Sequence, residues 1–567
     1  MRRTLPLLLA CVWLAAPGAP AAQTTVHQHY GHDEKADRPA PDGSTAPRLQ
    51  NLGRHRFPVS TRVPRAQLFV DQGIKLSYGF NHAEAGRAFR EAARLDPRCA
   101  MAFWGQALVL GPNINAPMDP ADEPKAKALA GQAMALLAGA TPRERAYIQA
   151  LAKRYTGDPA GRVAADSAYA AAMADVARRF HADLDAIVLW VESGMDLRPW
   201  NYWRPDGTPY PGTLELRERL ESVMARSPEH PGALHLYIHL LEPTADARLA
   251  EPAADRLLKL MPAAGHLVHM PSHIYQRVGR YADSAESNEL AMLADEDYIT
   301  QCRAQGLYPM AYYPHNIHFL WFAATMQGRS ARAIAAARKT ASQVSDSALA
   351  SLPLLAGFRV VPWYALTRFG KWDEMLAEPR PTSGDRYVLG TWHYARGLAL
   401  LGKGRPTDAA RALDSVRVIA RGEGLDHSLF SPNSARRILA IAPEVLAGEL
   451  AAARGDHAAA IGHLEAAVRL EDGLTYTEPE EWHFPPRLAL GAVLLAAGRA
   501  GEAETVYWED LRRHPGNGWA LRGLAEALAA QGKTAEEADA RARFRRAWER
   551  ADLELPASRF AALPEKR

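Results

Sequence analysis

The stretch AQLFVDQGIKLSYGFNHAEAGRAFREAARLDP, residues 66–97, decides the fold. Counted from Ala66 as position 1, larger apolar residues stand at 4, 11 and 24 (Phe69, Leu76, Phe89). Small ones stand at 8, 20 and 27 (Gly73, Ala85, Ala92), and Pro97 closes the unit at 32. Apolar residues three or four apart share a helix face, so each half reads as a helix. The small residues let the two helices approach and the larger ones fill the gap between them. The same pattern returns downstream. From Phe484, residues Gly491, Leu494, Gly498, Ala503, Tyr507 and Pro515 fall at 8, 11, 15, 20, 24 and 32. Units from Ile441 (Gly448, Gly455, Ala460, Leu464, Ala467) and Gly518 (Ala525, Leu528, Gly532) keep the register. Weaker units start at Ala100 and near Gly390, while 121–225 and 340–389 read as helical without a fixed register.

A helix–turn–helix unit of 34 residues with these positions resembles the tetratricopeptide (TPR) repeat. The resemblance covers most of the chain from 66 to about 550. It implies an all-α, tetratricopeptide-like right-handed helical solenoid with degenerate repeats and insertions. In that family helix A of each unit lines the concave face and helix B the outside. The groove usually takes a peptide or protein, which makes a non-catalytic binding scaffold the base expectation.

The chain has 567 residues, 48% hydrophobic and 23% charged, an ordinary globular balance. Its net charge of +3 lacks the excess that drives polyanion binding, so nucleic acid is not an expected partner. Residues 1–22 read as a signal peptide: basic Met1-Arg2-Arg3, apolar Leu5 to Ala16, then Ala19-Pro20-Ala21. Leu8-Leu9-Ala10-Cys11 loosely resembles a lipoprotein box, and Arg2-Arg3 faintly resembles a twin-arginine signal. The expectation is a bacterial-type exported protein, periplasmic or secreted, starting near Ala22 or Gln23, with no membrane span. Residues 23–60 read as a flexible arm carrying His27, His29 and His32. The rest divides into helices over 61–225, histidine-rich units over 226–340, further repeats over 341–550 and a tail over 551–567. Cys99 and Cys302 allow at most one disulfide in the mature chain. Neither CxxC nor CxxCH occurs, so thiolate zinc and c-type haem are excluded, and phosphate-loop, GxSxG, HExxH and Rossmann motifs are absent, so no nucleotide is expected.

Histidine is the unusual component. Eight of 20 lie between 230 and 318, where even spreading would put about three. His235 and His239 recur as His269 and His273, 34 residues on; His266 and His269 recur as His315 and His318, 49 on, one repeat plus a 15-residue insertion that holds Cys302 to Tyr313. In units starting at Pro231, Gly265 and Pro314 these histidines occupy positions 2, 5 and 9 of helix A. In tetratricopeptide proteins positions 2, 5, 9 and 12 face the groove, so His235, His239, His266, His269, His273, His315 and His318 are expected in one cleft. Imidazole is the commonest ligand of zinc, copper and iron, and a His at i and i+4 chelates from one helix turn. All-nitrogen ligation points to a transition metal, copper first and zinc or iron next. Seven histidines exceed one four-coordinate site, so two ions are plausible, and two three-His copper sites face to face would suit oxygen chemistry; a hydrolytic role would need a base. Glu242 and Gln276, at position 12, are candidate bases or ligand orienters. Pro271 between His269 and His273 threatens the one-face argument, since proline inside a helix costs about 3 kcal/mol.

Trp104, Asn113 and Asn115 are candidate groove contacts, and Trp190, Trp200, Tyr202, Trp203, Tyr308, Tyr312 and Tyr313 a candidate aromatic fringe. Residues 478–487 interrupt the array and are expected to fold back as a lid. The ligand of the groove, whether peptide, protein or small molecule, is left open.

Overall fold

The computed structural model describes residues 39–302, 308–429 and 433–560. Among them the chain is helical with a few isolated bridges and no strand. The helices pair along the chain: Pro64–Tyr78 with His82–Leu95, Arg386–Gly402 with Pro406–Arg421, Ile441–Ala453 with His457–Asp472, and Pro486–Ala496 with Ala500–Arg513. The protein is a tetratricopeptide-like helical solenoid with irregular units.

The small-to-large contacts of the repeat are those read from sequence. A Cβ added at Gly73 would lie 2.6 Å from the Phe89 ring, and one at Gly491 would lie 2.5 Å from the Tyr507 ring. The helices are therefore too close there for any side chain on the A helix. Position 15 ends helix A in the left-handed region, at Gly279 (φ 81°) and Gly328 (φ 69°), which frames the two later histidine units as expected. In the stretch without a sequence register, helices Glu123–Ala135, Pro142–Leu151, Arg162–Arg179, Leu184–Asp196 and Thr213–Arg226 continue the stack.

Two expectations about the ends need correction. Residues 1–38, with the signal peptide, His27, His29 and His32, lie outside the described residues, but 39–60 is not a free arm. It runs across the first helices, and its backbone N–H groups donate to their side chains: Thr45 to Glu91, Leu49 to Gln72, Phe57 to Asp71 and Val59 to Gln67. Leu52 and Phe57 are buried, an apolar signal that the polar composition around them hid. At the other end, residues 551–560 pack inward. Asp552 caps the Ser330–Ser342 helix by accepting from Ser330 N at 2.7 Å, and Ser558 bonds the Tyr507 hydroxyl at 2.8 Å.

The array curls back on itself. Trp519 Nε1 donates to the Thr325 carbonyl, 194 residues earlier, at 3.1 Å. A Cβ at Gly279 would collide with the Pro515 carbonyl. The C-terminal units thus close over the histidine units. Cys99 and Cys302 are both buried and free, so the possible disulfide is not formed.

Candidate metal centre

Three consecutive A helices supply the histidines: Pro231–Leu241, the pair Gly265–His269 and Pro271–Val278, and Tyr313–Met326. Pro271 opens its helix, where its missing N–H costs little. Met270 before it stays helical (φ −50°, ψ −38°), so His266, His269 and His273 keep a common face.

The rings gather as two triads. One is His235, His239 and His266; the other is His269, His273 and His315; within each, the ligand nitrogens all lie within 4.8 Å of one another. His235 Nε2 is 3.2 Å from His266 Nε2, and His269 Nε2 is 2.9 Å from His273 Nε2. The triads adjoin: the His239 and His273 rings are 6.0 Å apart and the His266 and His269 rings 5.9 Å. All are buried except His315, which is half-buried.

A surrounding layer of oxygen atoms fixes which nitrogen points inward. Tyr78 O takes His235 Nδ1 at 2.6 Å, and Asn288 Oδ1 takes His269 Nδ1 at 2.7 Å. The Asn288 amide is itself oriented by donating to Ser284 O at 2.7 Å. Glu242 serves both triads, through His239 Nδ1 on Oε1 at 3.1 Å and His273 Nδ1 on Oε2 at 2.6 Å. With Nδ1–H spent on oxygen, Nε2 of His235, His239 and His269 presents a lone pair to the interior. His269 Nε2 and His273 Nε2 are close enough at 2.9 Å to share one proton or to ligate one ion. In a tetrahedral site with metal–nitrogen bonds of ~2.0 Å, neighbouring ligand nitrogens stand about 3.3 Å apart, close to these separations. His239 Nε2 has no hydrogen-bond partner at all.

Burial, then mutual repulsion among the imidazoles, holds His235, His266 and His315 well below histidine's usual range; burial and His273 do the same to His269. These rings are neutral near pH 7, the form that ligates metal. His273 is the exception. Burial disfavours its charge, but the carboxylates of Glu242 and Glu478 outweigh that and push it up to about 9. Without metal, His273 is protonated near pH 7 and donates through Nε2 to His269 Nε2.

Aromatic walls cover both triads. Phe80 lies 4.5, 5.9 and 5.6 Å from the rings of His235, His239 and His266. Phe319 lies 4.5, 4.5 and 4.8 Å from His269, His273 and His315. Trp200 meets the His239 ring edge-on at 5.1 Å, and Tyr312 meets His266 at 4.8 Å. Phe80 (φ 54°) and Trp200 (φ 61°) both hold left-handed backbone, which costs non-glycine residues about 1–3 kcal/mol and clusters at functional sites. The expected lid is a strap inside the superhelix. Its Glu478 reaches His273 Nδ1 at 3.2 Å, Glu480 bonds His514 at 2.8 Å, and His483 stacks on Tyr364 at 3.8 Å.

Other expected residues sit elsewhere. His318 joins neither triad: three residues after His315 it is turned away, and its ring stacks on Trp321 at 5.1 Å and meets Phe358 at 5.6 Å. Phe319, four residues after His315, takes the inward place. Trp104 is core, stacked on Phe57 at 5.7 Å, rather than a groove contact. Asn113 closes a turn by accepting from Asn115 N and Ala116 N, so this pair is local structure. Gln276 is buried near the site, but its Nε2 makes no hydrogen bond. Tyr308 and Tyr313 bond Asp295 and Glu296, and Trp203 bonds Leu240 O. Asp185 gathers His55, His230 and the Tyr78 hydroxyl; with His230 also capping its helix through Ala233 N, that group is a structural hub.

No protein-family profile matches the chain, and no curated protein matches it in sequence. Solved helical structures do. Ypp1 is 8% identical over 88% of this chain and 89% of its own, with a TM-score of 0.43. The APC/C heterotetramer Cut9–Hcn1 is 13% identical over 87% and 80%, with a TM-score of 0.37. A human IFIT1 dimer with m7Gppp-AAAA is 12% identical over 79% and 90%, with a TM-score of 0.32. Overlap this loose carries no function across.

Proposed function

We propose that the two triads bind a pair of transition-metal ions and that the protein is a metal-dependent oxidative enzyme of an exported type. One observation supports this above all: six imidazoles gather as two adjoining triads, the ligand nitrogens of each within 4.8 Å of one another, with His269 Nε2 and His273 Nε2 facing each other at 2.9 Å. Copper is the first choice, because each triad is all-imidazole, with the carboxylates of Glu242 and Glu478 meeting His239 and His273 only on their other nitrogen, Nδ1. Three ligands per ion leave a position open for an exogenous oxygen, and two adjacent copper ions supply paired one-electron redox chemistry. Glu242, tied to one histidine of each triad, makes the two sites one unit. Export rests on the leader sequence, and no described helix is long and apolar enough to cross a membrane.

The second reading is a non-catalytic scaffold that holds a peptide or protein in its groove, which the repeat architecture supports by itself. Elemental analysis decides between them. Untagged protein reconstituted with copper should carry two ions per chain, and His239→Ala and His273→Ala should each lose copper with helical content intact. Equal metal in wild type and variants, or none in wild type after copper, zinc and iron, would leave the scaffold standing.

A further inference from the structure

A second enclosed space lies in the C-terminal half, away from the triads. It is a cavity of about 40 Å³, room for about three waters or one very small organic anion, with apolar walls that include Trp372, Leu398, Leu401, Val445 and Phe484. Polar side chains line the rest of it. Glu449 is paired with Arg559, so these two cancel. The Tyr394 hydroxyl and His483 Nδ1 have no partner, and burial keeps His483 neutral.

The remaining group is Arg368, 4% exposed. Its guanidinium lies over the Phe484 ring at 4.0 Å and the Trp519 ring at 3.7 Å. Nε and Nη1 are buried with no hydrogen-bond partner, and no carboxylate pairs with the side chain among the described residues. The nearby Asp510 is already taken, by Asn517 Nδ2 at 2.7 Å and His514 Nδ1 at 3.2 Å. An arginine stays charged in proteins, and a buried charge without an anion is strongly disfavoured. Aromatic faces offset part of that cost and leave the N–H donors at the guanidinium edge unused.

We propose that this cavity binds a monocarboxylate of acetate size, its carboxylate accepting hydrogen bonds from Arg368. The charge count favours a monoanion over phosphate: with Glu449 and Arg559 paired, Arg368 contributes the single uncompensated positive charge of the lining. Tyr394 and His483 offer further hydrogen bonds to the carboxylate oxygens. The site is separate from the histidine triads and stands or falls independently of their metal.

The test is calorimetric titration of the full chain with acetate, acetamide and inorganic phosphate at fixed ionic strength. Acetate should bind at one equivalent, with the amide and phosphate at least about tenfold weaker, since charge-assisted hydrogen bonds are the stronger ones. Arg368→Met should abolish acid binding while keeping the metal content and the melting temperature of the wild type. Hydrogen exchange on wild-type protein, which needs no variant, should show acetate protecting segments 361–368, 394–402 and 482–484. Equal binding of acid and amide, preference for phosphate, protection elsewhere, or no binding would each overturn the proposal. So would a lowered melting temperature in Arg368→Met with acid binding unchanged, which would assign Arg368 to packing.

Discussion

Glu242 Oε2 stands 2.6 Å from His273 Nδ1 as its ion-pair partner, and its other oxygen holds His239 of the opposite triad. One buried carboxylate on the first histidine-bearing helix therefore orients a ring on each side of the candidate centre. It is held well below the usual carboxylate range, to about 2, because the two histidines overcome the cost of its burial.

Glu242→Gln tests that role. The amide keeps the shape but loses the charge that favours Nδ1–H on both rings. Copper affinity, measured by competition with a chelator, should fall roughly 10–100-fold, the usual cost of losing an orienting group. Far-ultraviolet circular dichroism should stay unchanged. Unaltered affinity would mean that the Nδ1 contacts do not set the ligand geometry.

Metal-free stability should peak near neutral pH. His235, His266, His269 and His315 have folded pKa values pushed below 6.5. Below pH 6.5 the unfolded chain takes up protons that the folded one refuses, so stability falls, by several kcal/mol over the first pH unit if all four act. His273 works the other way. Its folded value is raised to about 9, so its contribution is complete below 6.5 and disappears as pH rises through 9. Urea midpoints at pH 5.5, 6.5, 7.5 and 9 should trace this dome. In Glu242→Gln the alkaline limb should flatten, because His273 loses a partner that raises it.

The solenoid was legible because its register rests on contacts that one residue type satisfies. Gly73 against Phe89 and Gly491 against Tyr507 leave no room for a Cβ, so the 34-residue spacing is written into composition. The triads were legible for the same reason: repeat-spaced residues on successive A helices must meet. Assignment within the third helix was not, since positions 2 and 5 both lie near the groove and packing chose between them. His318 went to Trp321, while Phe319 took the inward place beside His315. Glu478, Phe80 and Asn288 left no local signal as site residues. Glu478 reaches His273 only because the array closes and brings the strap back, a tertiary event that no periodicity encodes. The buried segment 39–60 was masked by its polar composition, which serves hydrogen bonds to helix side chains.

His315→Ala and His318→Ala should separate. His315 completes the second triad, so its loss should remove one copper of two. His318 only packs, so its replacement should leave both ions and lower stability by about 1–2 kcal/mol through the lost ring contacts. Copper content and melting temperature of the two variants read this directly. A reversed pattern would mean that His318 rotates inward on loading.

Gly265→Ala is the most local test of the scaffold beneath the first triad. A Cβ at Gly265 would collide with the Asp295 carboxyl. Asp295 cannot easily give way, since it is buried and held by the Tyr308 hydroxyl at 3.0 Å and by Asn316 Nδ2 at 2.7 Å. Burial pushes its carboxyl up to about 7, so room made by rotation would break hydrogen bonds rather than release a free ion. Tyr308 also accepts from the His266 backbone N–H at 3.0 Å, which ties this clash to the next residue along the helix. One added methyl should therefore shift His266 away from His235 and cost about 1–3 kcal/mol of stability, as overpacking does. The first triad should then lose its copper while His269, His273 and His315 keep theirs, leaving one ion per chain. Two ions retained in Gly265→Ala would show that His266 does not complete the first triad.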